Sequence, residues 1–196
     1  AAASLLLQRD AALAVVPGLH LVQRPRADWS RCRHVQQGDL VRLVGSPLSE
    51  PLLMELYRAC LQAGAHPYVL MQPEASGELM FTYGSDEQIS YQSPIVQHEI
   101  ETIDVTISLW GSENTKALSR FGPDKLAKKS QARKNYMETF LKRSATGDLR
   151  WTGSQFPCQA SAQDAEMSLR QYEDFVFKAG LLHLDDPVAA WKELSM

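Results

Sequence analysis

The sequence predicts an α/β domain on a mostly parallel sheet with helices on both faces, a three-layer, Rossmann-like arrangement without a nucleotide motif. Three observations predict it. The stretch "GDLVRLVGSPLSEPLLMELYRACLQAGAHPYVLM", residues 38–71, runs from an apolar strand through a Gly-Ser-Pro turn into a helix and out to a second strand. A strand-helix-strand unit of that length implies parallel strands joined by a right-handed crossover. "IDVTISLW", residues 103–110, alternates β-branched and other apolar residues with polar ones, as a strand does. Helical patterns then separate the strands along the chain, and helices alternating with strands cover both faces of a parallel sheet.

Taken in order, residues 1–34 mix apolar and basic residues with Pro17 and Pro25 and no sustained period, and are read as an N-terminal extension of uncertain structure. The chain begins without Met, so this segment could also include a processed end. "QQGD" at 36–39 is a turn, and residues 40–44 form a short apolar strand. Ser49 is placed as a helix cap, with Pro51 in the first turn, where its missing N–H has no intrahelical partner to lose. Leu52, Leu53, Leu56, Tyr57 and Cys60 make one helical face, opposite Glu55, Arg58 and Gln62. Gly64 ends this helix in a left-handed conformation and "HPYVLMQ" is the second strand.

A loop through Gly77 follows, then a short helix in "SDEQISY" and another from Pro94 to about Glu101. From Pro123 to about Arg143 the pattern predicts one long helix, closed by Gly147. "LRWTGSQF" is a strand that Pro157 terminates. Ser168 and Gln171 make a capping box, with Met167 and Tyr172 as the hydrophobic staple around it. Leu169, Tyr172, Phe175, Val176 and Ala179 give the next helix an apolar face, and Gly180 terminates it. Asp186-Pro187 opens a last helix that would carry Val188, Trp191 and Leu194 inward.

Composition bounds the function classes. The 196 residues are 44% hydrophobic and 22% charged with a net charge of -3, so there is no global drive towards nucleic acid or an anionic membrane. No run reaches the roughly 18 apolar residues of a membrane span. Cys32, Cys60 and Cys158 are odd in number and widely spaced, which reads as reduced thiols in a cytoplasmic protein.

The motifs that would carry chemistry are incomplete. Gly45-Ser46-Pro47 sits where a phosphate loop would, but matches neither G-x-G-x-x-G nor G-x-x-x-x-G-K-[ST], and Pro47 and Pro51 remove donors while Glu50 adds negative charge. His98-Glu99 begins a zincin signature, yet Thr102 stands where the second His is needed. His20, His34, His66 and His183 have no ligand spacing. Cys158 follows a strand, a place suited to a reactive thiol, but no base can be named for it and an idle thiol is the stronger reading. The segment "RFGPDKLAKKSQARKNYMETFLKR" holds eight Lys and Arg against two acids and is the best candidate for an anion-facing surface, although a solvated helix face is the stronger reading. No catalytic, cofactor-binding or metal-ligating residue can be assigned from these patterns.

Four stretches carry a family resemblance: "GDLVRLVGSPLSEPLLMELYRACLQAGAHPYV", "YGSDEQISYQSP", "IDVTISLWGSENTKALS" and "QASAQDAEMSLRQYEDFVFKAGLLHLDDPVAAWKEL". Together, over roughly residues 36–194, the chain resembles the aminopeptidase T family, also called thermophilic metalloproteases. The resemblance implies a two-domain aminopeptidase, usually a homodimer, that removes N-terminal residues from peptides with two divalent ions such as zinc or cobalt. Such ions hold and activate water and polarise the scissile carbonyl. It also implies that the metal ligands lie in a second half of the chain, so no metal or cofactor is expected on these residues and none of them matches a family ligand. Residues 35–196 are then the N-terminal α/β domain, whose partners are peptide substrate and its own catalytic domain, with no nucleic acid and no membrane. Two departures stand out. Residues 1–34 replace the regular helix expected there, and Glu166 occupies a position where the family often has Gly. The alternative is a free-standing, non-enzymatic scaffold whose basic helix near Lys128 and Lys129 faces an acidic partner.

Overall fold

A computed structural model describes residues 35–194 of the chain. The readings made on residues 1–34, including His20, Cys32 and His34, lie outside the described residues.

Four strands form one parallel sheet: β1 (Leu40–Gly45), β2 (His66–Met71), β3 (Val105–Trp110) and β4 (Arg150–Gln155), in the order β2-β1-β3-β4. Val41 pairs with Pro67 on one side and Val105 on the other, and Val105 pairs in turn with Arg150. Successive side chains in a strand face opposite ways, so this register sorts them into two layers. Val41, Leu43, Val105, Ile107 and Leu109 join Leu52, Leu53, Leu56 and Cys60 of α1 (Glu50–Gln62) in an apolar core. The opposite face, with Leu40, Arg42 and Tyr68, is covered by Ile100 of α4 (Pro94–Thr102) and by Tyr136 and Phe140 of α6 (Lys134–Thr146). Helices therefore lie on both faces, as the strand and helix alternation predicts. Burial holds the Cys60 thiol in its neutral form, pushed up to about 11, with the Asp39 carboxylate adding to the shift.

The local signals succeed or fail for identifiable reasons. Gly38, Gly64 and Gly147 all have positive φ, and at Gly64 and Gly147 this closes α1 and α6. Ser49 stands at the expected cap position but does not cap. Its hydroxyl turns back to donate to the Ser46 carbonyl at 2.8 Å, because a 3-10 turn over Pro47–Ser49 precedes the helix. The loop expected through Gly77 is instead the helix α2 (Ala75–Tyr83). A single Gly costs a helix only about 1 kcal/mol, and Phe81, packed against Phe121 with ring centres 5.4 Å apart, anchors the segment. The short helix α3 (Asp86–Ser90) has its capping box between Ser85 and Gln88.

The single long helix expected from Pro123 is two helices, α5 (Pro123–Ala132) and α6, broken at Arg133 with ψ near 3°. The break lets α5 pack on α3 while α6 packs on α4. A further helix, α7 (Gln159–Asp164), occupies a stretch after Pro157 to which the sequence reading assigns no element.

The Ser168–Gln171 box is formed at the start of α8 (Leu169–Ala179), but the apolar face of α8 is only partly covered among the described residues, with Leu169, Tyr172 and Val176 half-buried. Phe175 is 56% exposed and no α8 residue is fully buried. Gly180 follows with an ordinary φ of -79°, and Leu181 takes the left-handed conformation instead. In α9 (Pro187–Leu194) Trp191 is half-buried, its indole N–H donating to the Gly180 carbonyl at 2.9 Å, whereas Leu194 points outward, 68% exposed. The side chain of Val188 lies outside the described residues.

Glu166 has φ 55°, the left-handed region where a side chain costs roughly 1–2 kcal/mol. That is a physical reason for glycine to be common at this position. Glu166→Gly is expected to raise stability by about 0.5–1 kcal/mol, the strain relief being offset in part by the freer unfolded chain. Urea denaturation of the two chains checks this, and a loss of stability would mean that Glu166 makes a compensating contact.

Candidate functional site

In an open parallel sheet, ligands bind outside the carboxyl ends of the strands, where the chain leaves in opposite directions from neighbouring strands. Here that place lies between β1 and β3, and three loops meet there. The first is the Gly45-Ser46-Pro47 turn. A Cβ on Gly45 would collide with Ser49 Oγ and press on Leu53 Cδ1 at 3.2 Å, so this glycine serves the close approach of α1 and not an anion. Ser46 is only 7% exposed, and its hydroxyl has no hydrogen-bond partner among the described residues.

The second and third loops follow β2 and β3 and are joined by Glu74. Its carboxylate accepts from Glu113 N at 2.7 Å, Ser112 Oγ at 3.1 Å and Asn114 N at 3.4 Å. β2 and β3 flank β1, so this contact ties the two loops on either side of the Gly45-Ser46 turn. The loop after β3 is also fastened to α7. Asp164 accepts from Thr115 Oγ1 at 2.5 Å and pairs with Lys116 at 3.2 Å, and these contacts hold its carboxyl below the usual aspartate range, the Thr115 bond most of all. Arg120 reaches Glu78 of α2 at 2.6 Å. Trp110, at the end of β3, is 54% exposed and lies over Gly153, where any side chain would strike its ring.

Beneath this edge, on the α4 and α6 face, lies a buried polar cluster. Arg42 donates to Glu99 Oε2 at 2.6 Å, to Tyr136 OH at 2.8 Å and to Thr106 Oγ1 at 3.2 Å, while Tyr68 OH donates to Glu99 Oε1 at 2.7 Å. Burial alone would lower the pKa of Arg42, but its bonds to Tyr136 and Glu99 outweigh that and leave it raised. Burial, reinforced by Glu99, pushes the Tyr68 hydroxyl well above its ordinary value. Every member has a partner, so the cluster can fix the register between the sheet and its helices.

The residues weighed in the sequence are not brought together. His66 is exposed at the start of β2, His98 is exposed on α4, and His183 is exposed between α8 and α9. Glu99, next to His98, turns inward to Arg42. Cys158 is buried, its sulfur accepting from Ser112 N at 3.4 Å and lying 3.2 Å from Ser161 Oγ, so it helps fix the β3 loop. In the basic segment, Lys128 pairs with Asp86 at 2.5 Å and Lys125 donates to the Phe81 carbonyl at 3.1 Å, which uses part of its charge inside the fold. Among the described residues no three His, Cys, Asp or Glu side chains are grouped as metal ligands.

Sequence reasoning missed both constellations. Arg42 had a visible signal, a lone charge inside the apolar run "LVRLV" of a central strand. Glu74 had none, because its partners lie about forty residues away.

The topology, the covered faces and the glycine turn without phosphate donors define an open α/β domain of the doubly wound class. Residues 7–196 match the model of the thermophilic metalloprotease family, M29. The chain belongs to that family. The match begins at residue 7, inside the segment that sequence reading sets apart as an extension. Among solved structures, wild-type AmpT from Thermus thermophilus is similar in fold, with a TM-score of 0.70 at 17% identity over 95% of this chain and 45% of that one. The chain thus spans less than half the length of the Thermus protein. No curated protein matches it.

Proposed function

We propose that this chain acts as the non-catalytic N-terminal domain of a metal-dependent aminopeptidase, helping to enclose the cavity in which N-terminal residues are removed from peptides. The carrying observation is the pairing of coverages: the family match takes in residues 7–196, yet the chain corresponds to 45% of the Thermus protein. The donors described here do not fit a two-metal centre. The three described histidines lie at the start of β2, on α4 and between α8 and α9, Glu99 is engaged by Arg42, and Glu74 and Asp164 are engaged by the β3 loop. On this reading the metal ligands belong to a separate catalytic half, in a protein proposed to be a cytoplasmic homodimer. The carboxyl edge, with Trp110 and the loop after β3, is the surface turned towards the cavity, because it is where this class of sheet presents its ligand-facing loops.

The test incubates the purified 196-residue chain with cobalt or zinc and an aminoacyl chromogenic substrate, alone and joined to the catalytic half of a family member. The isolated chain is expected to give no turnover above the metal-only blank, and joining is expected to restore it. Turnover by the chain alone, abolished by His66→Ala, His98→Ala or Glu99→Gln, would overturn the reading.

A further inference from the structure

The loop after β3 aims three donors at one point. Two successive backbone N–H groups, of Glu113 and Asn114, and the hydroxyl of Ser112 converge on a carboxylate supplied by Glu74, from the far side of β1, the Asn114 N–H being shared between Ser112 Oγ at 3.3 Å and the carboxylate at 3.4 Å. Consecutive N–H groups arranged this way form a concave anion-binding nest. Its occupancy rests on hydrogen bonds alone, since among the described residues Glu74 has no ion-pair partner. Glu113 and Asn114 are exposed, so the loop that carries these N–H groups lies at the surface. At the end of the adjacent strand, the hydroxyl of Ser46 is more than nine-tenths buried and has no partner, a further polar group at this edge that the fold leaves unused.

The donor set selects the class of anion. Glu113 N meets one carboxylate oxygen, and Ser112 Oγ and Asn114 N meet the other. Both oxygens of a planar carboxylate are thereby satisfied. A phosphate would bring a third oxygen and more negative charge, with no Lys or Arg in the nest to meet them.

We propose that the nest at residues 112–114 is a carboxylate-binding site in which Glu74 is a resident but exchangeable occupant, and that the C-terminal carboxylate of a short peptide takes its place. The site stands on the geometry, while its peptide ligand rests on the peptidase reading above. A free peptide competes against a tethered carboxylate, whose effective concentration is in the millimolar range for a short tether, so exchange belongs to millimolar peptide.

The experiment records amide ¹⁵N–¹H spectra of the 196-residue chain and of Glu74→Ala during titration with glycylglycine, glycylglycinamide and inorganic phosphate. Saturable shifts at Glu113 and Asn114 are expected with glycylglycine in Glu74→Ala. The wild-type chain should bind about tenfold more weakly, because the tethered competitor must first leave. Glycylglycinamide, which lacks the carboxylate, should also bind at least about tenfold more weakly than glycylglycine. Unmoved Glu113 and Asn114 amides in a folded Glu74→Ala chain, or equal binding of the two dipeptides, would overturn the site. Tighter binding of phosphate than of glycylglycine would overturn the carboxylate assignment. Should Glu74→Ala fail to fold, Glu74→Gln decides: it keeps the side chain's size without its charge and should yield to glycylglycine at a lower concentration than wild type, and equal concentrations would refute the proposal. Binding together with failed complementation by a catalytic half would remove the peptidase reading and leave the site. Complementation without binding would remove the site alone.

Discussion

Arg42→Met is expected to cost about 3–5 kcal/mol of folding stability, enough to leave a domain of ordinary stability, about 5–15 kcal/mol, marginal or unfolded. The methionine fills a similar volume and loses no apolar contact, so the cost lies in what is left behind. Glu99, its side chain 18% exposed, keeps its bond from Tyr68 but loses its only ion-pair partner among the described residues. The hydroxyls of Tyr136 and Thr106 lose their donor in a buried site at the same time. Removing one member of a buried pair strands the other, whereas replacing both with apolar groups is often neutral. Arg42→Met/Glu99→Leu should therefore recover most of the loss. Urea denaturation of the two single variants and the double variant measures the coupling. A single-variant loss below about 1 kcal/mol would show that water reaches Glu99 and that the cluster does not hold the α4 and α6 layer to the sheet.

Leu53→Ala is expected to cost about 3–4 kcal/mol, while Phe175→Ala, a larger truncation, should change stability by no more than about 0.5 kcal/mol. Leu53 is fully buried in α1, in the core that joins the helix to β1 and β3. Its loss leaves a cavity in the first strand-helix-strand unit. Phe175 belongs to the strongly amphipathic α8, but 56% of its surface meets solvent, so removing it uncovers little that was dry. Thermal or urea unfolding of both variants tests the contrast. A loss at Phe175 as large as that at Leu53 would mean that its ring is covered in solution.

The same two residues mark how far the sequence carries. Periodicity identifies a face that seeks burial, and for α1 the neighbouring strands that satisfy it are adjacent in the chain, so both the helix and its role are legible. For α8 the face is equally legible, but what lies against it is a matter of tertiary arrangement, which periodicity does not contain. Glu166 was singled out by a family habit, and its positive φ supplies the cause. Helices α2 and α7 escaped because Gly77 and Pro157 read as loop signals, although a helix tolerates the first and starts just after the second. The candidate site was the least legible part. Glu74, Ser112 and Asn114 follow no spacing rule, and only the strand order β2-β1-β3 brings their loops together.

That strand order also governs how the polypeptide behaves while it is being made. Among the described residues no two strands are joined by a hairpin, and the Asp39–Arg150 bridge spans 111 residues, so pairing waits for distant parts of the chain to appear. β1, β2 and β3 can associate once Trp110 has left the ribosome, but β3 then presents an open edge until β4 follows. At about 5–20 residues per second, the roughly forty intervening residues take about 2–8 s to arrive. For that interval an apolar strand edge is available to any other nascent copy, and the growing chain is most exposed to mispairing just before its fourth strand emerges.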